Sequence, residues 1–321
     1  MYARSLGGRD LITVIGCGRV GKTVAEHLIA HQLDDLTLID IVQGVPQGEA
    51  LDMEQMASAY GIDVRITGSN NLEAISGSEV VVVVAGSPRA PGVSRLALLE
   101  KNARTIAELS KKIAEYTPKA VVLMVTNPLD IMTYVALKVT GFDRSRVLGM
   151  GGLLDVCRYK RYLAQELGVS TACVQGLVIG EHGDSMVPLH RFSAVSGIPV
   201  TELIPEACLN EIEGRTRKSA GEIIALKGGT FYAPAACVTL MVEALSKDRG
   251  LVAPASVYLT GEYGVEGVCI GVPVVLGRGG VKRIIELELT DNERLSFLKS
   301  AEVLRAAISS TALSSLITPK G

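Results

Sequence analysis

Up to about residue 148 the chain alternates short apolar runs with amphipathic stretches. The runs at 11–15, 36–40, 62–66, 80–84, 120–125 and 146–148 have the length of strands. Two of these regions, "EVVVVVAG" (79–86) and "AVVLMV" (120–125), are almost wholly apolar. Helical patterns fill the intervals near 19–32, 47–59, 95–116 and 129–139. Strands that are apolar on both faces and alternate with helices predict a parallel sheet covered on both sides. Right-handed crossovers then make it doubly wound, of the Rossmann type.

After Gly149 the pattern changes. A helix is predicted over 152–167 and a strand over 173–179, followed by the polar loop "GEHGDSMVP" (180–188) and a helix-rich stretch to about 247. "PASVYL", "GVCIGVPVVLG" and "GGVKRIIELEL" read as antiparallel strands, with "GRGG" as a turn, and a last helix fills about 291–318. The predicted class is α/β: a doubly wound parallel sheet over 1–148, then an α+β domain with antiparallel strands over 149–321. No low-complexity linker separates the two, so tight packing is expected, and no internal repeat is visible.

Composition narrows the partners. Of 321 residues 48% are hydrophobic and 21% charged, with a net charge of −2, which excludes a disordered chain. That balance provides no electrostatic reason to expect nucleic acid or an anionic membrane. The apolar runs fall far short of the roughly 20 residues a membrane helix needs. "MYARSLGGRD" runs straight into a strand, so no signal peptide is expected. Six cysteines (17, 157, 173, 208, 237 and 269) show no CxxC spacing and read as reduced thiols of a cytoplasmic protein.

The first candidate chemistry lies in "LITVIGCGRVGKTVAEHL" (11–28), a strand leading through Gly16-x-Gly18-x-x-Gly21 into a helix. Gly16 permits a tight turn, Gly18 admits a pyrophosphate to the backbone, and Gly21 lets helix and strand pack closely. An acid follows at the expected distance, Asp40 at the end of "LTLID". Its carboxylate suits the ribose hydroxyls of NAD and repels a 2′-phosphate, and Ile41 provides no cation; NAD is therefore expected over NADP. Cys17 reads as a small residue that fits the loop. His27 and His31 share a helix face, but no third ligand is apparent, and no metal is expected.

Further polar residues stand where strands end. "VVAGSPRAPGVSRLALLEKN" (83–102) places Arg89 and Arg95 on a Pro-Gly-rich segment suited to a closing lid. "VTNPLDIM" (125–132) sets Asn127 beyond the fifth strand. Asp155 and Arg158, three apart on a helix, share a face, either as a surface ion pair or as partners of another group. His182, one of only four histidines, is either a polar loop residue or a proton-transfer group. Local sequence leaves both readings open.

Taken in order and spacing, the glycine loop with Asp40, "SPRAPGVSR", "TNPLD", "GGLLDVCRYK" and "GEHGDS" resemble the lactate/malate dehydrogenase family across essentially the whole chain. Within the family the chain is most similar to the malate enzymes that are close in sequence to lactate dehydrogenases. The resemblance implies an NAD-dependent oxidoreductase with His182 as general acid/base, interconverting (S)-malate and oxaloacetate. It implies that Asp155 fixes the tautomer of His182, that Arg158 grips a substrate carboxylate, and that Arg95 stabilises charge on the carbonyl oxygen. Asn127 and Thr230 would contact substrate, and Arg89, where lactate enzymes carry glutamine, would pair with the distal carboxylate of a dicarboxylate. Arg19, Val20, Asn102, Val125 and Asn127 join Gly16, Gly18, Gly21 and Asp40 around the cofactor.

Cys17, Arg19 and Ala90 depart from the residues usual in the family. The resemblance also implies a homodimer or homotetramer with 48–61 at the dimer contact, where Leu51, Met53, Met56 and Ala57 make an apolar stripe, and a place in the tricarboxylic acid cycle. Competing readings are a lactate enzyme, opposed by Arg89; an NAD-dependent glycosidase, which needs a metal held by Cys and His; and a silent nucleotide-binding scaffold, which has no need of these polar residues.

Overall fold

The structure is a computed structural model describing residues 10–87, 95–309 and Leu316. Its first half runs β1 (Leu11–Ile15), α1 (Arg19–Ala30), β2 (Asp35–Ile39), α2 (Val45–Ala59), β3 (Ile66–Ser69), β4 (Val80–Val83), α3 (Arg95–Tyr116), β5 (Val121–Met124), α4 (Leu129–Thr140) and β6 (Val147–Gly149). These six strands pair in parallel in the order β6-β5-β4-β1-β2-β3. Every residue of β4 and β5 is buried, as expected for strands covered by helices on both faces. Connections leave β1 in one direction and enter β4 in the other, so a crevice opens beyond the carboxyl ends of these neighbours.

The second half runs α5 (Gly152–Leu167), β7 (Val174–Gln175), β8 (Val178–Ile179), β9 (Val187–Pro188), β10 (Ala194–Val195), β11 (Ile198–Pro199) and α6 (Val200–Leu203). Then follow α7 (Glu206–Lys227), α8 (Tyr232–Ser246), β12 (Leu251–Thr260), β13 (Glu266–Gly277), β14 (Gly280–Ile284) and α9 (Asp291–Ile308). The antiparallel strands β12 to β14 do not stand apart: β12 pairs with β6 through Ser256 and Gly149, and the sheet becomes nine strands wide. The main apolar core extends from Ile12 to Leu304, and a second, smaller one gathers Tyr159, Leu163, Val200, Leu209 and Ile212 in the second half.

Three expected strands differ in their bounds. The strand expected over 62–66 begins only at Ile66, because the Ile62 amide donates to Ala57 and closes the end of α2 instead. The strand expected over 173–179 is split around Gly176: β7 pairs with β10 and β8 with β9 in separate small sheets. The strand expected to reach 289 stops at Ile284, beyond which the Tyr263 hydroxyl donates to the Ile285 carbonyl and accepts from the Leu287 amide. The final helix opens with a capping box between Thr290 and Glu293 and is described to Ile308; 310–315 and 317–321 lie outside the described residues.

The stripe on α2 also divides: Met53 and Ala57 are core and Met56 packs against it, while Leu51 is 58% exposed. Among the described residues no helix is long and apolar enough to cross a membrane. The cysteines are free thiols, yet Cys157 and Cys237, 80 positions apart, bring their sulfurs within 3.6 Å where α5 meets α8.

Candidate active site

The glycine loop lies at the end of β1. Gly16 has φ +107°, and a Cβ there would press on the Ala85 amide at 2.8 Å; one on Gly21 would overlap the Gly16 carbonyl at 1.8 Å. Neither position tolerates a side chain. The space in front of Gly18 is open, and the N-terminus of α1 has no side-chain cap and no acid in its first turn. Its N–H groups are thus left for an anion, the arrangement that holds a pyrophosphate.

Asp40, just past β2, accepts from the Cys17 amide at 2.7 Å and the Val42 amide at 2.9 Å, tying the glycine loop to the next strand end. Cys17 is buried and its thiol is pushed up to about 12, by burial first and then by the charge of Asp40, so it is an inert packing residue. Arg19 is exposed and reaches the Lys227 carbonyl at the end of α7, 3.4 Å away. Asn102 is buried, and its amide accepts from the Ser87 amide while donating to the carbonyls of Ser87 and Asn127. It ties together the chain ends that leave β4 and β5.

Gly16, Gly18, Arg19, Asp40 and Asn102 line one cleft of about 1820 Å³, with Val20, Val125, Asn127, His182, Gly228, Gly229 and Thr230 on its walls. Asn127 is exposed and precedes a cis peptide bond to Pro128.

A second cavity of about 740 Å³ is lined by Asp155, Arg158, His182, Arg217 and Lys218, among others. His182 is common to both spaces. Its Nδ1 lies 2.7 Å from Asp155 Oδ2, and Asp155 Oδ1 accepts from Arg158 Nη1 at 3.0 Å. Asp155 is 1% exposed, so its pairing with Arg158 is a buried junction and no surface ion pair. Burial pulls His182 toward the neutral form, but the charge and hydrogen bond of Asp155 outweigh it and the net shift is upward. Arg158 opposes that rise and Asp130 adds to it.

The loop around His182 is held from outside. The Glu181 amide donates to Ser300 Oγ of α9 at 2.7 Å, the Ser185 hydroxyl bonds the Glu181 carboxylate, and the Gly180 and Gly271 backbones exchange hydrogen bonds. Sequence reading missed Ser300, which is separated from this loop by more than a hundred positions. It also missed Arg217 and Lys218, whose helical spacing carries no sign of a cavity. Arg89 lies outside the described residues; Arg95 begins α3, and its side chain is likewise outside them. No group of three or more potential metal ligands exists among the described residues.

A Rossmann sheet with an uncapped helix at the glycine loop and a carboxylate-paired histidine across the cleft defines the class of nicotinamide dinucleotide-binding oxidoreductase folds. The chain belongs to the lactate/malate dehydrogenase family: that family's NAD binding domain matches residues 11–149 and its alpha/beta C-terminal domain matches 153–313. A malate dehydrogenase from Roseiflexus sp. (strain RS-1) is 47% identical over 302 residues, covering 94% of this chain and 98% of that protein. The solved malate dehydrogenase from Aeropyrum pernix superimposes with TM-score 0.91 at 43% identity, covering 93% of this chain and 97% of that one. The lactate dehydrogenase from Eimeria maxima, solved with NADH and oxamate, gives 0.92 at 34% identity over 98% of this chain and 97% of that one.

Proposed function

We propose that the chain is an NAD-dependent malate dehydrogenase, interconverting (S)-malate and oxaloacetate with His182 as general acid/base. The observation that carries this reading is the buried Asp155 carboxylate, which bonds His182 on one oxygen and Arg158 on the other where cleft and cavity meet. NAD+ fits the uncapped helix, the open glycine loop and Asp40, and when bound it supplies the hydride acceptor. With Nδ1 committed to Asp155, His182 presents Nε2 to the substrate hydroxyl and takes its proton. Asp155 stabilises the resulting imidazolium, and Arg158 anchors the adjacent carboxylate with its planar fork.

On this reading Arg95 steadies the carbonyl oxygen, Arg89 takes the distal carboxylate, and Asn127 and Thr230 position the substrate. Gly16, Gly18, Arg19, Val20, Gly21, Val125 and Asn127 surround the cofactor, with Asn102 bracing the loops. Residues 1–148 form the NAD-binding unit and 149–321 the catalytic unit. We also infer a cytoplasmic enzyme of the tricarboxylic acid cycle acting as a homodimer or homotetramer; Leu51 and Tyr60, exposed on and beside α2, support the contact.

The decisive assay follows NADH absorbance with oxaloacetate against pyruvate; turnover of pyruvate alone would reject the reading. The pH dependence has a definite sign. Neutral His182 is needed for malate oxidation and protonated His182 for oxaloacetate reduction. With its pKa held above the ordinary 6.5, kcat/KM for malate should fall as pH drops through that raised pKa, and that for oxaloacetate should fall as pH rises through it. Coincident profiles would contradict this.

Asp40→Ser should raise the ratio of kcat/KM for NADP to that for NAD by about tenfold or more. Because Asp40 also holds two amides of the surrounding loops, absolute NAD use should fall as well. Kinetics with both cofactors check this, and an unchanged ratio would refute the role.

A further inference from the structure

We propose that Asp130 is a positioning residue for the reaction: one carboxylate oxygen fixes the backbone of His182, and the charge on the group favours the imidazolium. The proposal rests on His182 being the acid/base.

Asp130 stands in the first turn of α4, immediately after the strand-end segment of Asn127, and is 3% exposed. Its Oδ2 accepts from the His182 amide at 2.8 Å, so His182 is held at two points, by Asp155 at the ring and by Asp130 at the backbone. The other oxygen, Oδ1, is buried without a hydrogen-bond partner. The Ser256 hydroxyl of β12 faces the carboxyl and lowers its pKa, but neither Ser256 Oγ nor Oδ1 has a completed hydrogen bond.

A buried carboxylate with one oxygen unmatched is unfavourable for folding. Asparagine has the same shape, would keep the acceptor for the His182 amide, and could turn its amide donor to Ser256. What the acid has that asparagine lacks is negative charge, and the imidazole is the titratable group its held backbone carries. Burial pushes Asp130 up to about 6, so the group is ionised at neutral pH and above.

Among the described residues several charges surround the pair, and Asp184 and Glu222 also line the His182 cavity. Asp155 and Arg158 of α5 face the His182 ring, and Arg217 and Lys218 of α7 share its cavity. Glu181 of the loop and Cys269 of β13 face Asp130. Asp155 and Asp130 are the two that raise His182, and Arg158 opposes them.

The stability consequence has the opposite sign to that of an ordinary structural residue. A carboxyl raised from 3.8 to about 6 on folding binds protons better in the native state. The contribution of Asp130 to stability is therefore most favourable below about pH 4, declines as pH rises to about 6, and stays lower above it.

The test compares the parent chain with Asp130→Asn and Asp130→Ala by pH-resolved kinetics, NADH titration and melting at pH 8. Asp130→Asn should bind NADH as the parent does. Between about pH 6 and the plateau, where the parent's Asp130 is ionised, its kcat/KM for malate relative to plateau should rise about threefold or more, because an imidazole without this charge deprotonates more readily; below that range the two profiles should converge. It should also melt about 2–4 °C higher at pH 8. Asp130→Ala, which loses the hydrogen bond as well, should lose about tenfold in kcat with little change in KM for NADH.

An Asp130→Asn profile superimposable on the parent's, or a lower melting point with all kinetic constants reduced together, would overturn the proposal. If the parent fails to reduce oxaloacetate, the malate reading itself falls and this inference with it. If the parent is active, His182→Asn is inactive and Asp130→Asn is unmoved, the inference alone falls.

Discussion

Changing Arg89 to Gln is expected to lower the ratio of kcat/KM for oxaloacetate to that for pyruvate by about a thousandfold or more. The physical reason is that a guanidinium is costly in a closed site unless a carboxylate meets it. On the proposed reading the distal carboxylate of oxaloacetate would provide that partner in a bidentate pair. The methyl group of pyruvate leaves the charge desolvated and unpaired, which costs several kcal/mol. Glutamine, which is neutral, removes both the attraction and the penalty, so the two substrates should move in opposite directions. A solved malate dehydrogenase and a solved lactate dehydrogenase both superimpose on this backbone, so the fold by itself does not separate the two substrates. A substrate panel checks it, and a ratio equal to the parent's would reject the role of Arg89.

His182→Asn should cost about 10²–10⁴ in kcat while NADH affinity stays near that of the parent. Asparagine retains some polarity but cannot exchange a proton near neutral pH. The residues proposed for the cofactor stand on other loops, after β1, β2, β4 and β5, and the glycine loop is fastened by Asp40 rather than by His182. The Asp155–Arg158 ion pair survives the change, so the buried carboxylate keeps one partner. Fluorescence titration with NADH alongside steady-state kinetics separates the cases. Loss of cofactor binding together with turnover would assign His182 a structural part instead.

Much of the first half was legible in the chain. Val80–Val83 and Val121–Met124 are apolar at every position, and only a strand covered on both faces uses such a run at that length. The glycine loop was legible because backbone geometry there admits no Cβ: Gly16 and Gly21 meet main-chain atoms that no rotamer change can move. The second half was harder. Strands 2 residues long carry no periodicity, so the division of 173–179 into β7 and β8 was invisible until their separate partners were known. The joining of β12 to β6 depends on a pairing between Ser256 and Gly149, for which local pattern has no mark. The candidate site was legible in its residue types and opaque in its supports: Asp130, Ser300, Arg217 and Lys218 came from folding alone.

By itself the sequence determined the chemical inventory: a loop that only glycines can form, a carboxylate after the second strand, and an imidazole, a carboxylate and guanidiniums in a set order. Those follow from residue identity and short-range spacing, which a chain carries unfolded. Only the tertiary structure decided that Asp155 reaches His182 across 27 positions, that Arg158 shares the same carboxylate, and that a second buried acid holds the histidine backbone. Such contacts depend on where the nine-stranded sheet and its helices bring distant segments together, and burial there joins an ordinary ion pair to an imidazole in one hydrogen-bonded group.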